Sequence, residues 1–487
     1  MVDTQAPVRA TRPSSRVAPG RAVALGVLAA GVLAAVVLHR LAAWGYPTPW
    51  PDESHFLAPA QSLLHAGTLA VPQLNAPDGI FWMTDGYAVF LAGLFALLPD
   101  GLATARAASL LAAVLFALAV YAVGVRLGGP RTPLAVAVAL WLVAPRVVLM
   151  SDIARMEALL LAVAGGALLA AARGRWPLAL AVAAAAPLVH PTGVLLLVAL
   201  GLPLLVWRLP LRPTRAEAVL LVAAATALVA EAWRFLANWD LARDHLAYQV
   251  QRKANRPVAQ LDPPGWVVLA LSGVGGAWSL LRRRLDDPRA PVRAALFGVA
   301  GALAVVHLVG QEMWYEVLGV ETAALLAGLG LWCGRGPLTG RWLPSAAAVG
   351  AVAATVALTV PLGYQHWGLR LDPGTGAEWA AFWDDARAQL HDLDASLDEP
   401  ALVIVDYLSG FGPLLAGEEF THLRFVQPTQ VTGAPNVTGA YTLYTPTAPD
   451  AYRWGIEQRL PPTPPVLSVD SAEGTFALRV YAGGPVG

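Results

Sequence analysis

Two adjacent carboxylates, Asp52 and Glu53, follow an apolar stretch in the sequence PWPDESHFLAPAQSLLHAG (49–67). Charged side chains at an apolar boundary are costly unless they are paired or used, and a carboxylate that meets a hydroxyl group can act as a general base. The pair is therefore a candidate for proton-transfer chemistry. A solvated loop acid or a helix cap is the alternative, because Asp52 precedes a helix-like run that it could cap.

A second acidic motif, SDIARMEALLLA (151–162), places Arg155 and Glu157 at the start of another apolar stretch. Such a pair is either an ionic anchor at a membrane interface or part of a substrate site. Carboxylate oxygens also suit a divalent cation. Asp52 and Glu157 are therefore candidate metal ligands, although nothing in the sequence determines whether a cation binds.

The composition indicates which elements position these residues. Of the 487 residues, 56% are hydrophobic and 14% are charged, and 33 basic residues balance 33 acidic ones. This excludes a water-soluble globule and a disordered chain. The sequence has one lysine, Lys253, and no basic cluster that resembles a nucleic-acid footprint. It therefore offers no electrostatic basis for binding nucleic acid. The single cysteine, Cys333, excludes an intrachain disulfide and a cysteine-based metal site.

Apolar stretches near twenty residues long, the length that a helix needs to cross the hydrocarbon core, recur along the chain. They predict an all-α polytopic membrane bundle that occupies residues 22–364. The eleven predicted transmembrane helices lie at 22–43, 105–125, 132–150, 157–172, 177–190, 193–207, 216–236, 265–281, 294–311, 315–333 and 342–364.

Arginines in the short connections indicate the orientation of this bundle. With eleven spans and a cytoplasmic N-terminal tail (1–21), every arginine cluster in a short connection falls inside, as the positive-inside rule requires. The apolar segment 87–98 has only twelve residues and is therefore expected to be an interfacial or re-entrant helix. The segments expected on the outer side are 44–104, 237–264 and 365–487.

The last of these segments changes composition sharply. An amphipathic helix pattern, GAEWAAFWDDARAQLHDLDASL, is followed by the strand-like runs ALVIVDY, HLRFV, VLSVDS and FALRVYA. The pattern predicts a small extracytoplasmic α/β domain at residues 365–487, a normal size for an independent core.

The order of these pieces resembles the GT-C glycosyltransferases, and more narrowly the protein O-mannosyltransferase and aminoarabinose-transferase family (glycosyltransferase family 39-like). The resemblance covers roughly residues 20–330 and rests on the acidic pair, PAQSLLHAGTLAVP, a short apolar helix ending LLPDG, ARAASLLAAVLFALAVYAVGVRLGG and ARMEALL. It implies an integral membrane enzyme that transfers a sugar from a polyprenyl-phosphate donor to a glycan, lipid or protein acceptor on the outer face. One base acting in a single displacement would invert the anomeric centre.

The resemblance also implies roles for individual residues. Asp52 matches the candidate general base, Glu53 its neighbour and Glu157 the second acidic position, with Arg155 adjacent as a phosphate-binding candidate. The residues expected to line the substrate are His55, Asp85 and Tyr315.

Two departures from the family pattern remove lysines that could meet the donor phosphate. The family's K-P-P reads Met83-Thr84-Asp85, and its T-K-G falls where this chain has His190 within VHPTG (189–193). His190 is a candidate replacement, although a histidine beside proline at a helix end is more often a polar cap.

The outer loop 237–264 offers a second replacement for the missing lysines. Arg252, Lys253 and Arg256 cluster there, on the side where few basic residues are expected. They are candidate phosphate ligands, because guanidinium groups suit a phosphate. The alternative is a solvated amphipathic helix whose cations contact anionic lipid headgroups.

Two other functions remain open at this point. A catalytically silent assembly or regulatory protein with the same fold is compatible with the lost lysines. A transporter is less compatible, because no internal repeat is visible and the charged residues gather on one side. The expected location is the inner membrane of a bacterial cell envelope, with a multi-pass chain.

Overall fold

The computed structural model describes residues 19–43, 53–71, 78–254, 263–281, 289–310, 313–332, 373–405, 420–426, 441–444 and 460–483. Among the described residues, the helices of the bundle lie before residue 333 and the strands of the sheet lie after residue 400.

The helical part contains fourteen helices within the described residues. They are α1 (Pro19–Ala43), α2 (Glu53–Ala66), α3 (Gly86–Phe95), α4 (Leu102–Arg126), α5 (Arg131–Leu142), α6 (Pro145–Asp152), α7 (Met156–Ala172), α8 (Trp176–Val189), α9 (Gly193–Val206), α10 (Arg215–Ala237), α11 (Trp239–Ala254), α12 (Pro263–Leu281), α13 (Ala290–Gly310) and α14 (Met313–Trp332).

Ten of the predicted spans coincide with helical structure, while 342–364 lies outside the described residues. Four described helices are long and apolar enough to cross a membrane by length and composition, namely Gly20–His39, Leu102–Arg126, Arg215–Ala237 and Ala290–Leu308. Several of the other helices are apolar but shorter, so the number of eleven spans stays a prediction. The apolar segment at 87–98 forms the ten-residue helix α3.

The predicted span 132–150 is not one continuous helix. It is divided into α5 and α6 at Pro145, because proline has no backbone N–H and forces the preceding residue out of the helical conformation. Ala144 is extended there, with φ −64° and ψ 134°. The break lets α6 end at Asp152, close to the second acidic motif.

Large apolar side chains in the middle of the bundle hold the helices together. Phe116 of α4 and Trp141 of α5 are fully buried, with ring centroids 5.0 Å apart. The indole N–H of Trp141 donates a hydrogen bond to Thr322 Oγ1 of α14 at 3.1 Å, so the polar tip of this side chain is satisfied.

The two ends of the bundle differ in chemistry. At one end, the connection after α4 contacts Arg289, whose guanidinium donates to the Leu127 carbonyl at 2.9 Å. At the same end, Arg175 at the start of α8 pairs with Glu217 at the start of α10 at 2.8 Å. The opposite end contains the acidic motifs. The orientation of these two ends in the membrane stays a prediction.

After residue 372, helix α15 (Pro373–Ala395) packs on a five-stranded mixed sheet. The strands are β1 (Ala401–Val405), β2 (Leu423–Val426), β3 (Tyr441–Tyr444), β4 (Leu467–Asp470) and β5 (Ala477–Ala482). The strand order is β2-β1-β3-β5-β4, with β1 parallel to β2 and β3, and β5 antiparallel to β3 and β4.

The helix and four of these strands coincide with the runs that the sequence pattern indicates, whereas β3 is not among the predicted strands. Trp379 and Phe382 of α15 contact Phe476 with ring centroids 4.9 and 5.8 Å apart, and they anchor the helix on the sheet. The expected domain boundary at 365 lies in a segment that the structure does not describe.

Candidate functional site

Glu53, the first residue of α2, joins the two acidic motifs. Its Oε1 and Oε2 atoms accept hydrogen bonds from Arg106 Nε and Nη2 of α4 at 2.9 and 2.8 Å. Oε1 also accepts from the backbone N–H of Ala154, at 2.7 Å, in the connection between α6 and α7. The carboxylate is fully buried and these hydrogen bonds are charge-assisted. The start of α2 is therefore fixed against α4 and against Ala154–Glu157, the ARME motif.

Arg155 and Glu157 form a second buried ion pair beside this one. Arg155 Nε lies 3.2 Å from both carboxylate oxygens of Glu157, and Nη2 lies 2.9 Å from Oε1. The guanidinium carbon of Arg155 is 5.5 Å from the ring centroid of Phe56, which follows the acidic pair on α2. The structure therefore brings the second motif against the helix that begins at Glu53.

A third buried acid, Asp152, ends α6 in the same region. His39 Nδ1, near the end of α1, is 3.3 Å from Asp152 Oδ1. Asp152 is fully buried, and neither of its oxygens accepts a hydrogen bond from a residue that the structure describes. Together, Glu53, Asp152 and Glu157 provide three carboxylates against two arginines. Such a cluster in an apolar bundle is expensive, and ionisable residues in this position indicate a functional site.

The segment 80–85, which contains the departure at Met83-Thr84-Asp85, connects this cluster to α10. On one side, the half-buried Trp82 packs edge-on against His55 and Phe56 of α2, with ring centroids 5.6 and 6.4 Å apart. On the other side, Asp85 Oδ2 lies 2.6 Å from Arg234 Nε of α10. The segment therefore spans from the acidic cluster to the end of α10.

Arg234 is held by several groups at once. Its Nη2 lies 3.0 Å from Glu231 Oε1, and its guanidinium carbon is 4.5 Å from the ring centroid of Phe81 and 4.8 Å from that of Phe235. The backbone N–H of Asp85 donates to Glu231 Oε1 at 3.3 Å. Two carboxylates thus share one guanidinium group.

This sharing changes the acidity of Asp85. Burial raises the pKa of Asp85 to about 7, because Arg234 only partly offsets the loss of solvation and Glu231 adds a like charge. At neutral pH the carboxyl group is therefore divided between its protonated and ionised forms.

Gly86, which begins α3 directly after Asp85, is required by close packing. A Cβ atom added there would lie 2.4 Å from the carbonyl oxygen of Leu188 near the end of α8. This contact, with those of Arg234, places the ends of α8 and α10 at the end of the bundle where the acids lie.

His190 caps the end of α8. It is buried, and its Nδ1 atom accepts a hydrogen bond from the Thr192 backbone N–H at 3.1 Å and lies 2.7 Å from Thr192 Oγ1. This ring nitrogen is engaged in the local turn. A role of His190 toward phosphate would therefore involve its other ring nitrogen.

Several predicted site residues are not described in atomic detail. Asp52 and Arg256 lie outside the described residues. Arg252 and Lys253 lie in the last turn of α11, and Tyr315 lies in the first turn of α14; only their backbone is described. Within the part of the chain that the structure describes, no group of three histidine, cysteine or acidic side chains is arranged to hold a metal ion.

Sequence reasoning missed four residues of this region. Arg106 lies inside a predicted span, and Glu231 and Arg234 lie three residues apart inside another. An ionisable residue within a span is itself a signal of a functional or paired position. His39 gives a weaker signal, because it lies near the end of an apolar helix.

Comparisons with known proteins give likenesses of fold only. No family model matches the chain, and no curated protein matches it. The structure is similar to ArnT from Cupriavidus metallidurans bound to undecaprenyl phosphate, with 16% identity, a TM-score of 0.47, and coverage of 94% of this chain and 98% of that chain.

Two further structures are similar with lower TM-scores. The arabinofuranosyltransferase AftD from Mycobacteria has 19% identity and a TM-score of 0.40, with 80% of this chain and 30% of that chain covered. The oligosaccharyltransferase of Archaeoglobus fulgidus, tethered with an acceptor peptide, has 13% identity and a TM-score of 0.42, with 95% and 74% covered. These proteins are GT-C glycosyltransferases, the class that the sequence motifs resemble. Because the TM-scores are below 0.5, function has to be inferred from the site itself.

Proposed function

We propose that this protein is a membrane glycosyltransferase that transfers a sugar from a polyprenyl-phosphate donor to an acceptor hydroxyl group. The observation that carries the proposal is the contact of Glu53 with both Arg106 and the Ala154 N–H. This contact fixes Glu53 to the segment Ala154–Glu157 at one end of an apolar bundle. A buried, charged site at the end of apolar helices suits a substrate whose lipid tail lies in the membrane while its phosphate and sugar lie at the surface.

The proposed reaction needs a base near the acceptor. Both carboxylate oxygens of Glu53 already accept hydrogen bonds from Arg106 or the Ala154 N–H. Glu53 is therefore suited to fix the start of α2 rather than to remove a proton. Its neighbour Asp52 is the candidate base: its carboxylate would take the acceptor proton as the bond between sugar and phosphate breaks. A single displacement of this kind inverts the anomeric centre.

The leaving lipid phosphate needs positive charge to stabilise it. Arg155 is already paired with Glu157, so it would share its guanidinium between that carboxylate and the phosphate. Arg252, Lys253, Arg256 and His190 are the other candidates for this role. A divalent cation held by Asp52 and Glu157 would supply the same stabilisation.

The orientation follows from the distribution of arginines. Because the arginine-bearing connections lie opposite the acidic site, the positive-inside rule supports an orientation in which the site faces the outer side of the membrane. Helix α15 and the sheet would then lie outside as well. The acceptor would be a glycan, lipid or protein of the cell envelope.

The proposal is tested with the purified full-length chain in lipid nanodiscs and a panel of polyprenyl-phosphate sugars. We expect transfer of one sugar to an acceptor fraction from the envelope, and a loss of about 10²–10⁴ fold in Asp52→Asn, because general base catalysis contributes that much. Asp392→Asn, which changes an exposed acid of α15, is the matched control. Full activity of a folded Asp52→Asn protein would remove Asp52 as the base.

A catalytically silent protein of the same fold is the second candidate. It is favoured by one observation: the segment 80–85 contains no lysine, and its one charged residue, Asp85, is an acid that pairs with Arg234. A silent protein would bind a polyprenyl phosphate or a partner without turnover. Binding of the donor panel without transfer, by a wild-type protein that is folded, would support this second function.

A further inference from the structure

The segment 80–85 is attached to α10 and α11 by contacts from both its backbone and its side chains. The Ile80 carbonyl accepts from Arg234 Nη1 at 3.4 Å, and the Phe81 backbone N–H donates to His245 Nδ1 at 3.1 Å. At the end of the segment, Asp85 pairs with Arg234 and its N–H donates to Glu231. Arg234 thus contacts the segment at both of its ends.

The same segment places Trp82 against His55 and Phe56, two and three residues after Glu53 on α2. A displacement of 80–85 would therefore move an aromatic side chain at the acidic site. Arg234 pairs with Asp85 and Glu231 and donates to the Ile80 carbonyl. Its influence on the site would pass through the segment.

We infer that Arg234 is a positioning residue and that the Asp85–Arg234 ion pair is a clasp, which fixes the segment 80–85, and with it Trp82, over the acidic site. This inference rests on the proposed function only for its effect on sugar transfer. The clasp itself is a structural claim and can be measured without any substrate.

The charges around Asp85 make the clasp sensitive to pH. The charged groups that face it among the described residues are Arg234 and Glu231 of α10, and His245 of α11 contacts the neighbouring Phe81. Burial lowers the pKa of His245, against the opposing effect of Asp244, so its ring is neutral at pH 7 and can accept the Phe81 N–H.

The sign follows from the raised pKa of Asp85, which is about 7. Above pH 7 the carboxylate is ionised and pairs with Arg234, so the clasp is closed. Below pH 7 the group is protonated, the ion pair is lost and Arg234 keeps only Glu231 as its charged partner. The segment should therefore be held more firmly at pH 8 than at pH 6.

Hydrogen exchange of the full-length protein in nanodiscs tests the clasp. After correction for the intrinsic effect of pH, we expect amides of 80–87 to exchange about tenfold more slowly at pH 8 than at pH 6. In Asp85→Asn, these amides should exchange at the same corrected rate at pH 8 and at pH 6. In Arg234→Ala, they should exchange faster still. Arg243→Ala is the control, because Arg243 is an exposed cation of α11 that pairs with Asp240 and Asp244.

Sugar transfer separates a positioning role from a purely structural one. Arg234→Ala should lower kcat about tenfold to a hundredfold, since small misplacements near a reacting centre cost that much, and Arg234→Lys should recover part of the loss. If the clasp positions the site, sugar transfer by the wild type should rise as the pH passes about 7, where Asp85 ionises. This rise should be absent in Asp85→Asn. Equal exchange of 80–87 in the wild type, Asp85→Asn and Arg234→Ala at both pH values would overturn the clasp. Altered exchange with no transfer by the wild type would uphold the clasp and count against the proposed function.

Discussion

The Glu53 carboxylate accepts a hydrogen bond from the backbone N–H of Ala154, at 2.7 Å, across a hundred residues of sequence. Arg106 completes this connection with two hydrogen bonds to the same carboxylate. Three elements, α2, α4 and the connection before α7, therefore meet at one side chain.

The first prediction is that Glu53→Gln destabilises the bundle. The amide has nearly the same shape, but it leaves the buried guanidinium of Arg106 without its counter-ion. Removing one partner of a buried ion pair costs about 3–5 kcal/mol. We expect a clear fall in the temperature of thermal unfolding in nanodiscs.

Arg175→Gln provides the matched control for this variant. It also breaks an arginine–glutamate contact of 2.8 Å, but the Arg175 side chain is 52% exposed. Glu217 is buried but keeps the hydrogen bonds that it accepts from Thr214, so losing this half-exposed guanidinium should cost less than the change at Glu53. Equal shifts in the two variants would show that the Glu53–Arg106 pair does not have the buried character described above.

Glu157→Gln should reduce sugar transfer while the protein remains folded. The amide keeps one acceptor oxygen for Arg155, so part of the contact survives, but the charge that fixes the guanidinium is lost. We expect a fall in kcat of about tenfold to a hundredfold, because the orientation of groups near the reacting centre is affected. Activity would be measured on protein whose helical circular dichroism matches that of the wild type.

A double variant shows whether Glu157 acts through Arg155. If the pair works as a unit, the double variant Arg155→Gln/Glu157→Gln should lose less activity, as a free energy, than the sum of the losses in the two single variants. Strictly additive losses would mean that the two side chains act separately. Undiminished activity of Glu157→Gln would remove this residue from the site.

The sequence indicated which residues could form the site, but not which side chains they contact. Asp52, Glu53, Arg155 and Glu157 were recognisable because charged residues at the ends of apolar runs are conspicuous. The partner of Glu53 was not, since Arg106 lies fifty-three residues later and only the packing of α2 on α4 shows which acid it neutralises. Pairing across a bundle is a property of tertiary structure, which hydrophobic periodicity does not contain.

The same distinction applies to the fold. Long apolar runs predicted the positions of the helices in most of the bundle, because burial and membrane insertion require them. The division of 132–150 at Pro145 was a missed local signal, as proline is a known breaker of helices. Strand β3, Tyr441–Tyr444, was missed because YTLY contains a single aliphatic residue, whereas each of the predicted strands contains at least two.

The phosphate site gives a third prediction, which concerns Arg252, Lys253 and Arg256. If they bind the donor phosphate, each replacement by alanine removes a charge-assisted hydrogen bond of about 1.5–3 kcal/mol. The Michaelis constant for the donor should then rise about tenfold or more, while that for the acceptor stays the same. Arg243→Ala serves again as the control on α11. Three variants that match the wild type would assign these cations to lipid headgroups instead.

The last prediction concerns Asp394, which fastens the end of α15 to the start of β2. Its carboxylate accepts hydrogen bonds from the backbone N–H groups of Thr421, His422 and Leu423 at 2.8, 2.7 and 2.6 Å. Burial alone would raise the pKa of Asp394, but the three N–H donors outweigh it, and the pKa lies below its ordinary value. Because the folded pKa is depressed, the contribution to stability is fully present above the ordinary pKa of about 3.9 and is lost as the pH falls through the folded value.

Asp394→Asn should therefore loosen β2 at neutral pH. An amide has only one acceptor oxygen and no charge, so at least one of the three N–H groups loses its partner. We expect the amides of 421–423 to exchange about tenfold faster in this variant, and the wild type to lose the same protection only as the pH falls below about 4. Asp392→Asn, an exposed acid two residues earlier on α15, should leave the exchange unchanged. Protection of 421–423 that is equal in the wild type and Asp394→Asn at pH 7 would contradict this role of the carboxylate.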